Sequence, residues 1–299
     1  MTPPTGGRTS IARPARVALA LLVASAYTLV GWSLATAPPP IEISLAVLLG
    51  LATVVTLGVF FLNLGVFVDV ISRGAADRSL VGLTFDDGPH PVHTRRVLDA
   101  LDASGHRATF FVVGTKVEAH PDVVREIVER GHEVGLHGYD HDRFLNLRNE
   151  ARIVRDLEKN RDAIERACGV RPRIFRPPVG FTSPRTRVAV RALGLAVVGW
   201  TARAFDGAGK PTQSAVLARV SRSLRPGGII LLHDARERGE DAPASVEALP
   251  ALLDLLAERG LRSVTVTELC TLERSESAHG ATPAPSVGGG RDLGAVSPP

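Results

Sequence analysis

Among 299 residues there are only two cysteines, Cys168 and Cys270, far apart in the chain. That usage excludes a disulfide framework and any cysteine cluster with metal-ligand spacing. It leaves two core thiols or one disulfide, and says nothing of the compartment. Aromatic residues make up only 5%. No stretch interleaves them with basic residues, so the net charge of +4 is spread along the chain. That pattern argues against nucleic acid as a partner. No long internal repeat is present, which removes repeat architectures.

Charge is missing from two long runs. Residues 17–37 and 43–68 contain no Asp, Glu, Lys or Arg. Each reaches the ~20 residues that cross a bilayer as helix. Residues 17–37 also read as a signal peptide, with Ala35-Thr36-Ala37 as a small-residue cleavage site, although the apolar run exceeds the usual ~7–15 residues. The preferred reading is two transmembrane helices in a hairpin, turning at residues 37–42, after a short basic N-terminus, 1–16. Membrane lipid is then a partner, and the chain is a multi-pass protein of the cytoplasmic membrane. Arg8, Arg13 and Arg16 precede the first run, Arg73 and Arg78 follow the second, and the turn has neither Lys nor Arg. The positive-inside rule puts both ends in the cytoplasm. Cleavage of the first run would change that placement, so the side of the following domain stays open. At the other end, residues 275–299 are rich in Ser, Gly, Pro and Ala, and are expected to be disordered.

Residues 79–269 carry the remaining pattern. Short apolar runs alternate with amphipathic helical stretches, which argues a parallel sheet covered by helices. Six or seven such units fit a closed (β/α) barrel or an open doubly wound sheet. Polar residues gather at the ends of the apolar runs: Asp86 and Asp87, His137, Arg176, His233 and Asp234. In parallel α/β folds the chemistry sits at the carboxyl ends of the strands. The stretch VGLTFDDGPHP sets two carboxylates side by side at such an end. A solvated turn explains them, and so does a bound cation. The pair His137 and His141, in GLHGYDH, offers two imidazoles. With one carboxylate they make a three-ligand catalytic zinc set that leaves a position open. His90, His93, His106, His120, His132 and His279 are read as ordinary surface or core histidines.

TFDDGP, HGYDH, RPPVG, the stretch from Trp200 to Asp206, and LLHD follow one another in an order and spacing that resemble the five motifs of the polysaccharide deacetylases (NodB-homology domain, carbohydrate esterase family four). The resemblance covers residues 79–269. It implies a distorted (β/α) barrel, preceded here by the two predicted transmembrane helices. It also implies a divalent metal, most often zinc, with Co2+ or Ni2+ as alternatives, and hydrolysis of N-acetyl or similar acyl groups on amino sugars. Carried over by position, Asp87, His137 and His141 hold the metal and Asp86 is the general base. Arg176 pairs with Asp86, and His233 protonates the departing amine. Asp206 raises the pKa of that histidine. The backbone N–H at Val179 faces the oxyanion, and Trp200 and Leu231 wall the acetyl methyl group. Read alone, Trp200 and Leu231 are better taken as ordinary core residues.

Three positions depart from the family pattern. Gly138 stands where a Ser or Thr supports the metal loop. Val179 stands where Tyr is usual. Gly207 follows Asp206 where Trp is usual, which implies a wider, less aromatic groove. The expected function is a membrane-anchored sugar N-deacetylase acting on an envelope glycan or peptidoglycan. One alternative is deacylation of a polyprenyl-phosphate-linked sugar at the inner membrane face, which suits the sparse aromatics. Another, of a different class, is an inactive glycan-binding module.

Overall fold

The structure is a computed structural model that describes residues 14–76, 79–207, 209 and 211–271. Most of the basic N-terminus, the tail at 275–299, Arg8, Arg13, Arg78 and His279 lie outside these residues.

Two long helices come first, α1 (Pro14–Ala35) and α2 (Ile41–Phe60). They pack on each other around a turn at residues 36–40 that holds three prolines. No residue of α1 is buried, and in α2 only Gly58 is. The second apolar run does not stay helical to its end. A 3-10 turn, Leu62–Leu64, follows α2, and Gly65 closes it with φ +60°. Leu62 of this turn, and Val66, Phe67 and Val68 beyond it, enter the core of the following domain. Leu62 and residues 65–68 therefore lack charge because they are buried in the domain. Arg16 fastens the start of α1 to this exit: Nε donates to Gly65 O at 2.6 Å, and Nη1 contacts Asp69 Oδ1 at 2.8 Å.

The domain alternates strands and helices as the sequence predicts. Its strands are β1 (Val70–Ile71), β2 (Leu80–Asp86), β3 (Ala108–Val112), β4 (Glu133–Leu136), β5 (Ile174–Phe175), β6 (Ala196–Val198), β7 (Ala202–Arg203), β8 (Ile229–His233) and β9 (Arg262–Ser263). Between them run α3 (His93–Ala103), α4 (Gly114–Ala119), α5 (Pro121–Glu129), α6 (Glu150–Cys168), α7 (Pro184–Ala192), α8 (Gln213–Ser223) and α9 (Ala244–Glu258). The order across the sheet is β1-β6-β5-β4-β3-β2-β8-β7, with β9 beside β2, and every ladder is parallel. A single antiparallel bridge, Arg73 to Gly228, links the chain after β1 to the start of β8. The result is a curled half-barrel rather than a closed cylinder.

β2 is the spine. Val81, Leu83 and Phe85 are fully buried, as are Phe110 and Leu232 on the strands beside it. A strand covered on both faces needs such a continuous apolar run. Helix starts follow their caps. Asn149 accepts from Arg152 N at 2.9 Å before α6, and Ser183 and Thr186 form a capping box before α7. His106 and His132 accept from Ser263 N and Ala108 N at the amino ends of the strands, which fits their reading as structural residues.

Candidate active site

β2 and β8 are neighbours, and their register sets Asp86 directly beside His233. On the other side of β2, Asp86 pairs with Phe111 of β3. The two aspartates then part company. Asp86 still belongs to the strand, whereas Asp87 adopts φ +71°. That left-handed turn is one that Asp tolerates better than most residues, and it aims the second carboxylate elsewhere.

Asp86 faces Arg176, whose Nη1 lies 2.7 Å from Oδ1. Arg176 is fully buried at the end of β5. Its other donors reach Thr84 Oγ1 at 2.8 Å and Gly199 O at 2.9 Å, and its guanidinium lies 4.2 Å over the Phe111 ring. A buried guanidinium needs this full set of partners.

Asp87 faces two imidazoles. His141 Nε2 lies 3.1 Å and His137 Nε2 3.3 Å from its Oδ1. Neither approach makes a hydrogen bond, so Oδ1 is buried without a partner. The three potential ligand atoms lie within 4.8 Å of one another. His137 Nδ1 donates to Arg176 O at 2.8 Å, which leaves the Nε2 lone pair facing the site. A buried, unpartnered carboxylate oxygen facing two imidazole nitrogens suits a divalent cation.

Gly138 adopts φ +83°, a conformation that a Ser or Thr there would resist. The support expected from a hydroxyl comes instead from α6. Asp156 accepts from Tyr139 N at 3.0 Å, and Asn160 donates to the carbonyls of Val112 and Gly138. Glu237 stands 3.7 Å from His141 Nδ1, on its outer side. These three residues escape sequence reading, because none belongs to a motif: Asp156 and Asn160 lie within α6, and Glu237 in the charged stretch after LLHD.

His233 closes the other flank. Both Asp206 carboxylate oxygens serve it: Oδ1 lies 2.9 Å from Nδ1, and Oδ2 accepts from His233 N at 2.8 Å. Burial alone would lower the histidine's pKa, but the charge of Asp206 and this bond outweigh it and leave it pushed up to about 9. Gly207 is set by the same ring, since a Cβ there would come 2.5 Å from His233 Nε2. Gly207 thus packs its backbone directly against the imidazole.

Asp86, Asp87, His137, His141, Val179, Trp200, Leu231 and His233 line one pocket of about 210 Å³. Arg176 and Asp206 stand behind Asp86 and His233. Val179 sits at φ +52° in the turn Pro178–Gly180, and the Trp200 ring packs on Gly180. Asp234 does not reach the pocket. It is fully buried, accepts from Thr94 Oγ1 at 2.5 Å, and packs against Gly88 of the DDGP turn. Burial pushes its carboxyl up to about 7.

The comparisons with known proteins agree with this geometry. The family model described as polysaccharide deacetylase matches residues 73–198. A peptidoglycan-N-acetylglucosamine deacetylase of Bacillus cereus is 32% identical over 195 residues, covering 64% of this chain and 89% of that protein. A chitooligosaccharide deacetylase of Sinorhizobium fredii is 37% identical over 204 residues, covering 65% and 93%. Among solved structures, a family 4 acetyl xylan esterase from Clostridium thermocellum in complex with a cobalt ion superposes with a TM-score of 0.60 at 37% identity, covering 65% and 91%. With the curled parallel half-barrel, the strand-end carboxylates and imidazoles, and these relatives together, the chain belongs to the polysaccharide deacetylase family and is a sugar N-deacetylase.

Proposed function

We propose that this is a metal-dependent deacetylase, anchored in the membrane by α1 and α2, that removes the acetyl group from an amino sugar of an envelope glycan. The observation that carries the reading is the cluster Asp87, His137 and His141 flanked by Asp86 and His233 on adjacent strands. Asp87, His137 and His141 would hold the ion. Zinc is the expected one, and the cobalt of the acetyl xylan esterase supports a divalent site. A divalent cation supplies Lewis-acid stabilisation of negative charge at neutral pH.

The chain's own groups account for the proton steps. Asp86, held by Arg176, accepts the proton of the water that attacks the amide carbonyl. The Val179 N–H donates to the oxyanion that results. His233, kept protonated by Asp206, gives its proton to the nitrogen as the C–N bond breaks. Acetate and the free amine leave. Trp200 and Leu231 bound the space for the methyl group.

The anchoring rests on surface chemistry. Helices that are apolar all round and yet unburied need a non-aqueous surrounding. By length and composition both qualify as spans.

Metal analysis of the purified full-length protein, beside His137→Ala and His141→Ala, tests the reading. The unmutated protein is expected to bind one equivalent of zinc, to lose acetate release from N-acetylglucosamine oligomers on chelation, and to regain it with zinc or cobalt. The two variants are expected to bind no zinc and to release no acetate with or without added metal. A protein that holds no metal, even after zinc or cobalt is added, would overturn it.

A further inference from the structure

α2 does more than lead into the domain. Its last turn is bonded to a wall of the pocket. Thr182 N donates to Val59 O at 3.2 Å, and Thr182 Oγ1 donates to Gly58 O at 3.3 Å. Phe60 meets Phe181 edge to face, with ring centroids 4.8 Å apart. Just past the helix, Asn63 Nδ2 donates to Trp200 O at 2.7 Å. Gly180 and Trp200 line the pocket, so the helix end is bonded two residues from the wall at Thr182, and the turn after it is bonded to the wall directly at Trp200. α1 starts at the same place, through Arg16. The turn at residues 36–40 then lies about 30 Å away, at 1.5 Å per residue. Both ends of the hairpin are therefore rooted on the catalytic face.

Apolar side chains are exposed around that root, among charged groups such as Asp69 and Arg143. Beyond α1, the exposed aromatic side chains among the described residues are Phe60, Phe61, Phe144 and Phe205. Phe60 and Phe61 end α2, and Phe205 lines the pocket. Phe144 is 57% and nearby Leu147 61% exposed. Their loop is tied to the same wall, by Ser183 Oγ donating to Asn146 O at 2.7 Å and Arg185 Nη1 donating to Leu147 O at 3.0 Å. Exposed apolar groups gathered on one face mark an interaction surface. Continuity with two membrane-length helices identifies the occupant. Arg203, exposed at the pocket mouth with its guanidinium 4.8 Å from the Phe205 ring, adds the positive charge that suits lipid phosphate.

Resting on the membrane reading above, we infer that the pocket opens at the plane of the bilayer. Phe144, Leu147 and Phe205 sit in its headgroup layer. The substrate is an acylated amino sugar still joined to a membrane lipid, rather than one on a free polymer.

Two measurements on the full-length chain in phosphatidylcholine–phosphatidylglycerol vesicles test this. With Cys168 and Cys270 replaced by serine, an environment-sensitive fluorophore is placed at Phe144→Cys and, for comparison, at Ser104→Cys. Ser104 is exposed at the opposite, amino end of the strands. Lipids with a nitroxide near the headgroup are expected to quench the label at 144 at least threefold more than at 104. Equal quenching overturns the placement, and this reading needs no enzyme activity. The second measurement compares a glycolipid with an N-acetylglucosamine head with soluble N-acetylglucosamine oligomers. Phe144→Ser with Leu147→Ser is expected to lower kcat/KM for the glycolipid at least tenfold and to leave the soluble substrate within twofold. Equal effects on both overturn the substrate assignment. No turnover of either by the unmutated protein overturns the deacetylase reading itself, and leaves the fluorescence result to decide the placement.

Discussion

Arg176 and Asp86 form a buried ion pair on the floor of the pocket, Nη1 to Oδ1 2.7 Å, with neither side chain more than 5% exposed. Breaking such a pair from one side strands the other charge away from water. Arg176→Met is expected to cost about 3–5 kcal/mol of stability. Adding Asp86→Asn to it should recover part of that loss, because the stranded charge is then gone. Thermal melts of the two variants check the order, and a double variant no more stable than Arg176→Met would contradict it.

Asp86→Asn alone separates ligand from base. The substitution is nearly isosteric, and Asp87, His137 and His141 are untouched. Metal content is expected to stay at the unmutated level while acetate release falls by about 10²–10⁴-fold. Turnover within a factor of a few of the unmutated enzyme would remove Asp86 from the base role.

Asp206→Asn should move the alkaline limit of activity. With Asp206 ionised, the His233 imidazole titrates at about 9. Without that charge the largest influence opposing burial is gone, only the more weakly acting charges of Asp87 and Asp86 remain, and the value falls. If the protonated ring donates to the leaving amine, the alkaline limb of the kcat profile moves down from near pH 9. An unmoved limb would assign the proton to another group.

Asp234→Asn bears on stability and its pH dependence. The folded carboxyl titrates near 7, against a reference value of 3.8, because burial disfavours its charge. The folded state therefore holds this proton more tightly than the unfolded one. That contribution is complete below about pH 4 and is lost as pH rises through 7. Asparagine carries no such term and still accepts from Thr94. The melting temperature of the variant relative to the unmutated chain is expected to be higher at pH 8 than at pH 5.

Gly138→Ser restores the residue usual in the family, yet it should weaken this protein. At φ +83° a Cβ is strained by about 1–2 kcal/mol. The loop already has Asp156 and Asn160 for support. Lower stability and no gain in zinc affinity are expected from melts and metal titration.

Much of this site was legible because its residues lie in short contiguous motifs at the ends of apolar runs. Asp86, His137, Arg176 and His233 each end or follow a strand, and parallel pairing brings such ends together whatever their separation in the chain. The supports were not legible. Asp156 and Asn160 sit in the middle of α6 and look like the polar face of any amphipathic helix. Glu237 sits in a charged loop. Only the packing of α6 beneath the metal loop, and the fold-back of the chain after β8, give them roles. The same limit applied to residues 62–68, where an uncharged run that reads as membrane span is in part domain core. Periodicity cannot tell the two kinds of apolar surrounding apart, and Asn63 and Gly65 are the local marks of the change.

The register of β2 against β8 has one more consequence. Asp86 and His233 are rungs of a single ladder, so their spacing is fixed by backbone hydrogen bonds, about 4.8 Å from strand to strand. The sheet works as a ruler between the two groups assigned to proton transfer. Side-chain substitutions around the mouth can alter which sugar enters without altering that interval. Diversity in the outer loops and constancy in the chemistry are then compatible within one scaffold.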